Sequence, residues 1–307
     1  MNKIFSFFMF FNENDLLEIK LNEEQDYIEK FIIIESLQTH NGKNKPKYFD
    51  EKRFIQFQNK IEYHLIESLD EYIEKYPELR TPSFYRRHQH MSPDQRKCWE
   101  REKFQTNYAN IILSNLGIAD EDQIMFGGLD EIVHKDIILS LSKNPHAIYG
   151  FDLRLYVYKL NVFAKKIGGQ MLTSFANIKK YFASELRSDS IGHAIVKDSG
   201  WHFTGLSKDI ANLRNKYTNF SHAQDSVWSQ IETWDDNTLL NNIINGYIPN
   251  FSTNPQNHLH DINAEYIDIP GKLNFPPNFA YIDHDIKFGF PKYIKDHQNK
   301  YNEYIYQ

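Results

Sequence analysis

The tightest constraint on the fold lies in the opening residues. Residues 3–11 are a short apolar run rich in rings, and 14–24 carry apolar residues at helical spacing, with Leu17 and Leu21 four apart and Leu16 and Ile19 three apart. Residues 27–35 then hold Phe31-Ile32-Ile33-Ile34. A β-branched run without polar alternation belongs in the middle of a parallel sheet, where crossover helices cover the faces. Strand, helix and strand within 35 residues predict an α/β fold.

The rest of the chain extends this pattern. Residues 62–66 read as a third strand, and the charged segment 70–90 has no legible role. Ser92-Pro93-Asp94-Gln95 predicts a helix start, with Ser as N-cap, Pro at the first helical position and Gln closing a capping box. Gly117 stands where a left-handed C-terminal residue belongs. Between them Cys98, Glu102, Gln105, Ala109, Ile112 and Leu116 share a stripe, so two polar residues face inward, where burial is costly without partners. Gln123 to Phe126 is a short strand running into Gly127-Gly128-Leu129-Asp130-Glu131-Ile132. Two glycines at a strand end let backbone approach a ligand or turn sharply, and ligands of open α/β sheets sit at the carboxyl ends of strands.

Residues 153–160 alternate in polarity as a half-exposed antiparallel strand would. The glycine-flanked segment 199–205 precedes a helix for which Ser207 is the expected cap. Beyond Gly246 the chain is rich in Asn, Pro, His and Tyr and reads as an extension wrapping over the preceding domain. The expected organisation is one domain over 1–246, with a nucleotide-binding part to about 135 and an acceptor-side part over about 136–246, and an extension over 247–307.

Charge and cysteine content remove several function classes. Thirty-five Lys and Arg against 41 Asp and Glu give a net charge of −6, which disfavours a general nucleic-acid binder. A single cysteine, Cys98, excludes an internal disulfide framework and a cysteine-rich zinc site. The apolar start lacks a small-residue cleavage site, and no stretch approaches the roughly 20 apolar residues of a membrane span. A soluble, cytoplasmic protein without a transmembrane segment is the expectation.

The blocks at 11–22, 31–36 with 39–46, 99–105, 130–132, 200–203 and 216–222, taken in order, resemble glycosyltransferase family 17, the family of the β-1,4-N-acetylglucosaminyltransferase that bisects N-glycans. Phe11-Asn-Glu-Asn-Asp-Leu-Leu-Glu-Ile-Lys-Leu-Asn22 resembles its opening, and Phe31-Ile-Ile-Ile-Glu-Ser36 with Thr39, Gly42, Lys45 and Pro46 resembles its second block. Trp99, Glu102 and Gln105 fit a Trp/acidic/polar helix, and Asp130-Glu131-Ile132 fits the end of an Asp-x-Asp-Glu-Ile element. Gly200-Trp-His-Phe203 and the stretch from Lys216 to His222 resemble later blocks. Gly128 stands where the family pattern has the first Asp, and Thr106 where it has an arginine.

The resemblance implies a GT-A-type fold, a Rossmann-like mixed sheet flanked by helices. It also implies inverting transfer of a sugar, N-acetylglucosamine in the family, from a UDP-sugar to a hydroxyl of a glycan or glycolipid acceptor. Mn²⁺ or Mg²⁺ would stabilise the leaving diphosphate, with Asp130 as the surviving ligand. Donor contacts would come from Glu35, Thr39, Lys45, Gly128, Trp201, His202, Lys216 and His222, with either histidine also able to serve as a metal ligand. Glu131 and Glu102 are the candidates for the general base, with Asp235 and Asp236 as rivals and Asp236 doubling as a helix cap. Two other readings remain: a degenerate transferase that binds a sugar nucleotide as a scaffold module, and a metal phosphohydrolase built on Asp130, Glu131 and His258-x-His260-Asp261.

Overall fold

Side chains of a strand alternate between faces, and in the first two strands both faces are apolar. In the computed structural model, which describes residues 2–81, 89–144, 146–187, 192–224, 228–245, 258–259, 280–282 and 289–306, β1 (Ile4–Phe10) sends Phe8 and Phe10 to one core and Phe5 and Phe7 to the other. After α1 (Asn14–Glu24), β2 (Lys30–Ser36) divides in the same way, with Phe31 and Ile33 on one side and Ile32 and Ile34 on the other. Helices therefore have to cover both faces, which the β-α-β pattern predicts.

The remaining elements follow in order: β3 (Ile61–Ile66), α2 (Leu69–Lys75), α3 (Pro93–Asn115), β4 (Gln123–Gly128), β5 (Glu131–Val133) and α4 (Lys135–Leu141). Then come β6 (Tyr149–Val157), β7 (Val162–Ser174), α5 (Phe175–Tyr181), α6 (Ala183–Leu186), β8 (Ala194–Thr204), α7 (Ile210–Tyr217) and α8 (Asp236–Ile244). Short strands β9 (His258–Leu259) and β10 (Ala280–Ile282) and helices α9 (Lys292–Asp296) and α10 (Gln298–Tyr301) complete the described chain. The sheet runs β10-β8-β6-β7-β4-β1-β2-β3, with β5 on β8 and β9 on β7. Strands β3, β2, β1 and β4 are mutually parallel, and β7 is antiparallel to both β4 and β6. The result is a mixed α/β sheet flanked by helices.

Local signals in the sequence account for several boundaries. The capping box of α3 forms as expected, with Ser92 and Gln95 bonding each other's backbone, and Gly117 is left-handed at φ +65°. The charged segment whose role was illegible contains α2, started by Ser68. Two expected caps are displaced: Asp209, not Ser207, caps α7 by accepting from the Asn212 N–H at 2.8 Å, and Asp235, not Asp236, caps α8 through the Thr238 N–H at 2.7 Å.

The expectation of a half-exposed strand at 153–160 is wrong: every residue of β6 is buried. β7 and β8 flank it, and its polar alternation reports an internal ion pair, in which Arg154 Nε meets Asp198 Oδ1 at 2.7 Å. The C-terminal segment packs back on the sheet and on α1: the Trp201 indole donates to the Gly289 carbonyl at 2.9 Å, and the Tyr293 hydroxyl to Glu18 at 2.7 Å. No helix among the described residues is long and apolar enough to cross a membrane.

Also on β6, Asp152 is buried with Oδ1 lacking a hydrogen-bond partner, and burial pushes its carboxyl up to about 7. The folded state thus holds a proton that an unfolded carboxyl, near pKa 3.9, has released. Stability should fall as pH rises from about 4 to about 7. Asp152→Asn should be the more stable protein at pH 8, with the advantage gone at pH 4, as read by urea unfolding at the two pH values.

Candidate functional site

The carboxyl ends of β1, β2 and β4 open into a cleft of about 310 Å³, whose lining includes Phe10, Ser36 and Gly128. This is where ligands of open α/β sheets bind. The loop after β2 and the N-terminal half of α3 form one wall; the turn between β4 and β5 forms the floor, and the end of α7 with residues 219–222 closes the far side. Asp130, Glu131, Glu102, Gly128, Thr39, Lys45, Lys216 and His222, all expected site residues, line it together.

Asp130 organises the floor. Its carbonyl accepts the Phe203 N–H at 2.8 Å, which fixes the turn to β8, and its carboxylate meets a lysine and a histidine. Lys216 Nζ lies 3.1 Å from Oδ2, and His202 Nε2 lies 3.5 Å from Oδ1. Lys216 also reaches Glu13 Oε1 at 3.2 Å, while Glu13 Oε2 accepts the N–H groups of Phe11 and Asn12 at 3.1 Å each. Burial alone would raise the pKa of Asp130; the Lys216 ammonium and the His202 imidazole outweigh it and hold the carboxyl far below its ordinary range. Burial would likewise depress His202 and Lys216, and Asp130 instead raises both.

Glu131 sits beside this group but faces differently. Its Oε2 accepts the Gly128 N–H at 2.7 Å and its Oε1 meets Arg187 at 2.9 Å, so both oxygens are engaged. A Cβ at Gly127 would overlap Glu131 Oε2, and one at Gly169 would lie 3.2 Å from its Cδ. The glycines therefore make room for a buried carboxylate; backbone approach to a ligand is not what requires them. Beneath it Lys20, fully buried, donates to the Glu131 carbonyl at 2.6 Å and to Glu24 at 3.0 Å.

The opposite wall carries Glu102, Gln105 and His40. Gln105 donates to the Ile34 carbonyl at 2.9 Å and bonds His40 Nε2 at 2.8 Å, so α3 is tied to β2 and to the loop beyond it. The inward polar pair on α3 thus points into the cleft, as its spacing suggests. Burial would raise Glu102; Lys103, His40, a Ser221 hydrogen bond and His222 bring its carboxyl down to about 2. The His222 ring stands edge-on to Trp99 at 4.4 Å between centroids.

Other expected site residues lie elsewhere. Glu35 is fully buried outside the cleft lining and holds the loop after β2, receiving Lys45 Nζ at 2.6 Å, the Tyr48 and Phe49 N–H groups and the Tyr63 hydroxyl. Trp201 is buried against Gly289 and borders a different cavity, which removes it from sugar stacking in the cleft. Asp235 and Asp236 start α8 and are not among the cleft residues. Thr106, in the place of an expected arginine, returns its hydroxyl to the Glu102 carbonyl at 2.9 Å. His260 and Asp261 lie outside the described residues, as does the side chain of His258. Sequence reasoning missed Glu13, Arg187 and His40. Glu13 was legible as the carboxylate ending the first strand block, whereas Arg187 has no local signal.

The donor set fits a divalent ion. Asp130, Glu131 and His202 each offer a ligand atom, and these atoms lie within 4.8 Å of one another. Two carboxylates and an imidazole suit Mn²⁺ or Mg²⁺, with the nitrogen favouring Mn²⁺. Any such ion would meet Lys216 already at Asp130.

A family model described as glycosyltransferase family 17 matches residues 1–249, so the chain belongs to that family. No curated protein matches the chain.

The glycine cage around Glu131 gives a direct check. Gly127→Ala places a methyl on Glu131 Oε2 and 2.9 Å from the Gln170 backbone, so Glu131 has to leave its pocket. The expected loss is about 1–3 kcal/mol of unfolding free energy, the usual cost of overpacking. Gly117→Ala serves as the control, because nothing lies within 4 Å of its added Cβ; urea denaturation of the two variants should show a loss at 117 limited to that of its left-handed backbone.

Proposed function

We propose that the cleft is the active site of an inverting glycosyltransferase that moves a sugar from a UDP-sugar to an acceptor hydroxyl. Family membership supports glycosyl transfer and hence a sugar donor and an acceptor. The observation that carries the finer reading is the position of the Asp130–His202–Lys216 group at the carboxyl ends of parallel strands, the phosphate side of a Rossmann-like, GT-A-type half. N-acetylglucosamine is the donor sugar the family suggests.

In this reading the nucleotide lies along the wall made by Ser36, Thr39 and Lys45, with the diphosphate over Asp130. Lys216 and Arg187 face the same space and offset phosphate charge. Asp130 and His202 would hold Mn²⁺ or Mg²⁺, with Glu131 joining them only by releasing Gly128 or Arg187, and the ion when bound supplies charge neutralisation at the leaving diphosphate. The acceptor oxygen forms its bond to the anomeric carbon as the bond to the diphosphate oxygen breaks and its electron pair leaves with UDP. The hydroxyl proton goes to a carboxylate across the cleft. Glu102 suits that role better than Glu131: it lines the cleft from another element, α3, whereas both oxygens of Glu131 are held by Gly128 and Arg187. Glu131 then acts by orienting Arg187.

A second reading, a nucleotide-sugar-binding module without turnover, is favoured by one observation: a side chain at Gly128 would collide with the Asp130 carboxylate, which has turned into the space of the missing aspartate.

Calorimetry with UDP, followed by UDP release from UDP-N-acetylglucosamine in the presence of Mn²⁺ and mixed glycan acceptors, separates the two. Transfer requires both signals; binding with no release supports the module, and no binding of UDP at all removes both readings. In an active protein Glu102→Gln should lower kcat about 10²–10⁴-fold, the range for loss of a positioned base, with UDP affinity kept. Asp130→Asn should weaken UDP binding in Mn²⁺ and lower turnover together.

A further inference from the structure

Three carboxylates, Glu13, Asp130 and Glu131, converge on the floor of the cleft, and in the structure they are met by Lys216, Arg187 and His202. Lys216 and Arg187 therefore offset two of the three carboxylate charges before any ligand arrives, with His202 also beside Asp130. An incoming divalent ion adds two positive charges and must compete for Asp130 with an ammonium already 3.1 Å away. Lys216 has a second anchor, Glu13 at 3.2 Å, and it borders the cleft. It can therefore give up Asp130 without leaving the floor, and its charge then turns toward the cleft. The side chain that would have helped to hold the ion is also absent, since residue 128 is glycine and the Asp130 carboxylate occupies the space of any Cβ there.

We propose that Lys216 is an exchangeable counter-cation: it keeps Asp130 neutralised in the empty site, and passes to the donor diphosphate when a divalent ion takes Asp130. This rests on the transferase reading and deepens it. The ion and the nucleotide then enter as a charge-matched pair. Each favours the other by more than their direct contact provides, because UDP removes the competitor of the ion and the ion releases a cation for UDP. The coupling is reciprocal, as linkage requires. Lys216 here is a binding residue for the diphosphate, and its effect is read in binding before any turnover.

Two substitutions at the same floor should act in opposite directions on Mn²⁺ binding without nucleotide, measured from the free Mn²⁺ resonance signal. Lys216→Met removes the competitor and should bind Mn²⁺ about tenfold tighter than the wild type. Glu13→Gln removes the second anchor, leaves Asp130 as the only carboxylate holding Lys216, and should bind Mn²⁺ several-fold more weakly. Saturating UDP should tighten Mn²⁺ binding of the wild-type protein by about tenfold or more, within the range of ordinary site-to-site coupling. In Lys216→Met that factor should shrink at least about threefold. Circular dichroism confirms that each variant is folded, and a Lys216→Met protein that does not fold leaves the Glu13→Gln comparison to decide.

The proposal is overturned if Lys216→Met binds Mn²⁺ no more tightly than the wild type, if Glu13→Gln binds it as well or better, or if the UDP effect is the same with and without Lys216. A wild-type protein that binds Mn²⁺ but not UDP overturns the transferase reading itself, an outcome distinct from the other three.

Discussion

The site depends on one ammonium group. Lys216, at the end of α7, meets Asp130 in the β4–β5 turn and Glu13 just before α1, so a single side chain joins three segments far apart in the sequence. A lysine there would be costly alone, since desolvation of an ammonium amounts to several kcal/mol, and two carboxylates within 3.2 Å are what make it tolerable. The converse also holds. Asp130 remains ionised in a largely enclosed position because Lys216 and His202 face it, so the electrostatics that keep the floor folded also set the charge a ligand meets.

Beside this ion-paired group lies a more closely enclosed one. Glu131 is enclosed by the glycines at 127, 128 and 169, bonded to a backbone N–H, and aimed at Arg187. Lys20 holds the backbone of the same residue from below, with Glu24 as its charge partner. Adjacent residues of one short motif are thus held differently: the carboxylate at 130 by the Lys216 and His202 side chains, and the one at 131 by a main-chain N–H and steric closure as well as by Arg187.

The parallel half of the fold is legible because its signals are local. The run at Phe31 to Ile34 could only be a strand covered on both faces, and Ser92, Gln95 and Gly117 carry the ends of α3 in their own chemistry. Where the reading fails, the deciding partner is distant. β6 alternates as though one face met water, yet Arg154 is paired with Asp198, 44 residues on, and a side chain that brings its own counter-ion looks exposed from sequence. The site divides in the same way. Glu102 and Gln105 are visible as polar residues on an apolar stripe, whereas Arg187 becomes meaningful only through Glu131, 56 residues earlier. Trp201 shows the opposite error: a tryptophan in a block that resembles a sugar-transferase motif is buried, and its indole is used to hold Gly289.

That contact leads beyond the family match, which ends at residue 249. The described C-terminal residues, together with Arg53, anchor α1: Tyr304 and Arg53 bond Asp15, while Tyr293, Lys300 and Arg53 bond Glu18. Asp15 and Glu18 stand in the first turns of α1, immediately after Glu13. Four groups thus fix the helix whose leading carboxylate shares Lys216 with Asp130, and three of them, Tyr293, Lys300 and Tyr304, lie outside the matched residues. The same tyrosine, Tyr304, borders a third cavity of about 300 Å³ that Glu13 and Lys216 also line. The floor of the cleft is therefore not the property of the parallel half alone: the helix that begins at Glu13, the second carboxylate of Lys216, is held in part by chain that arrives from the far end of the sequence.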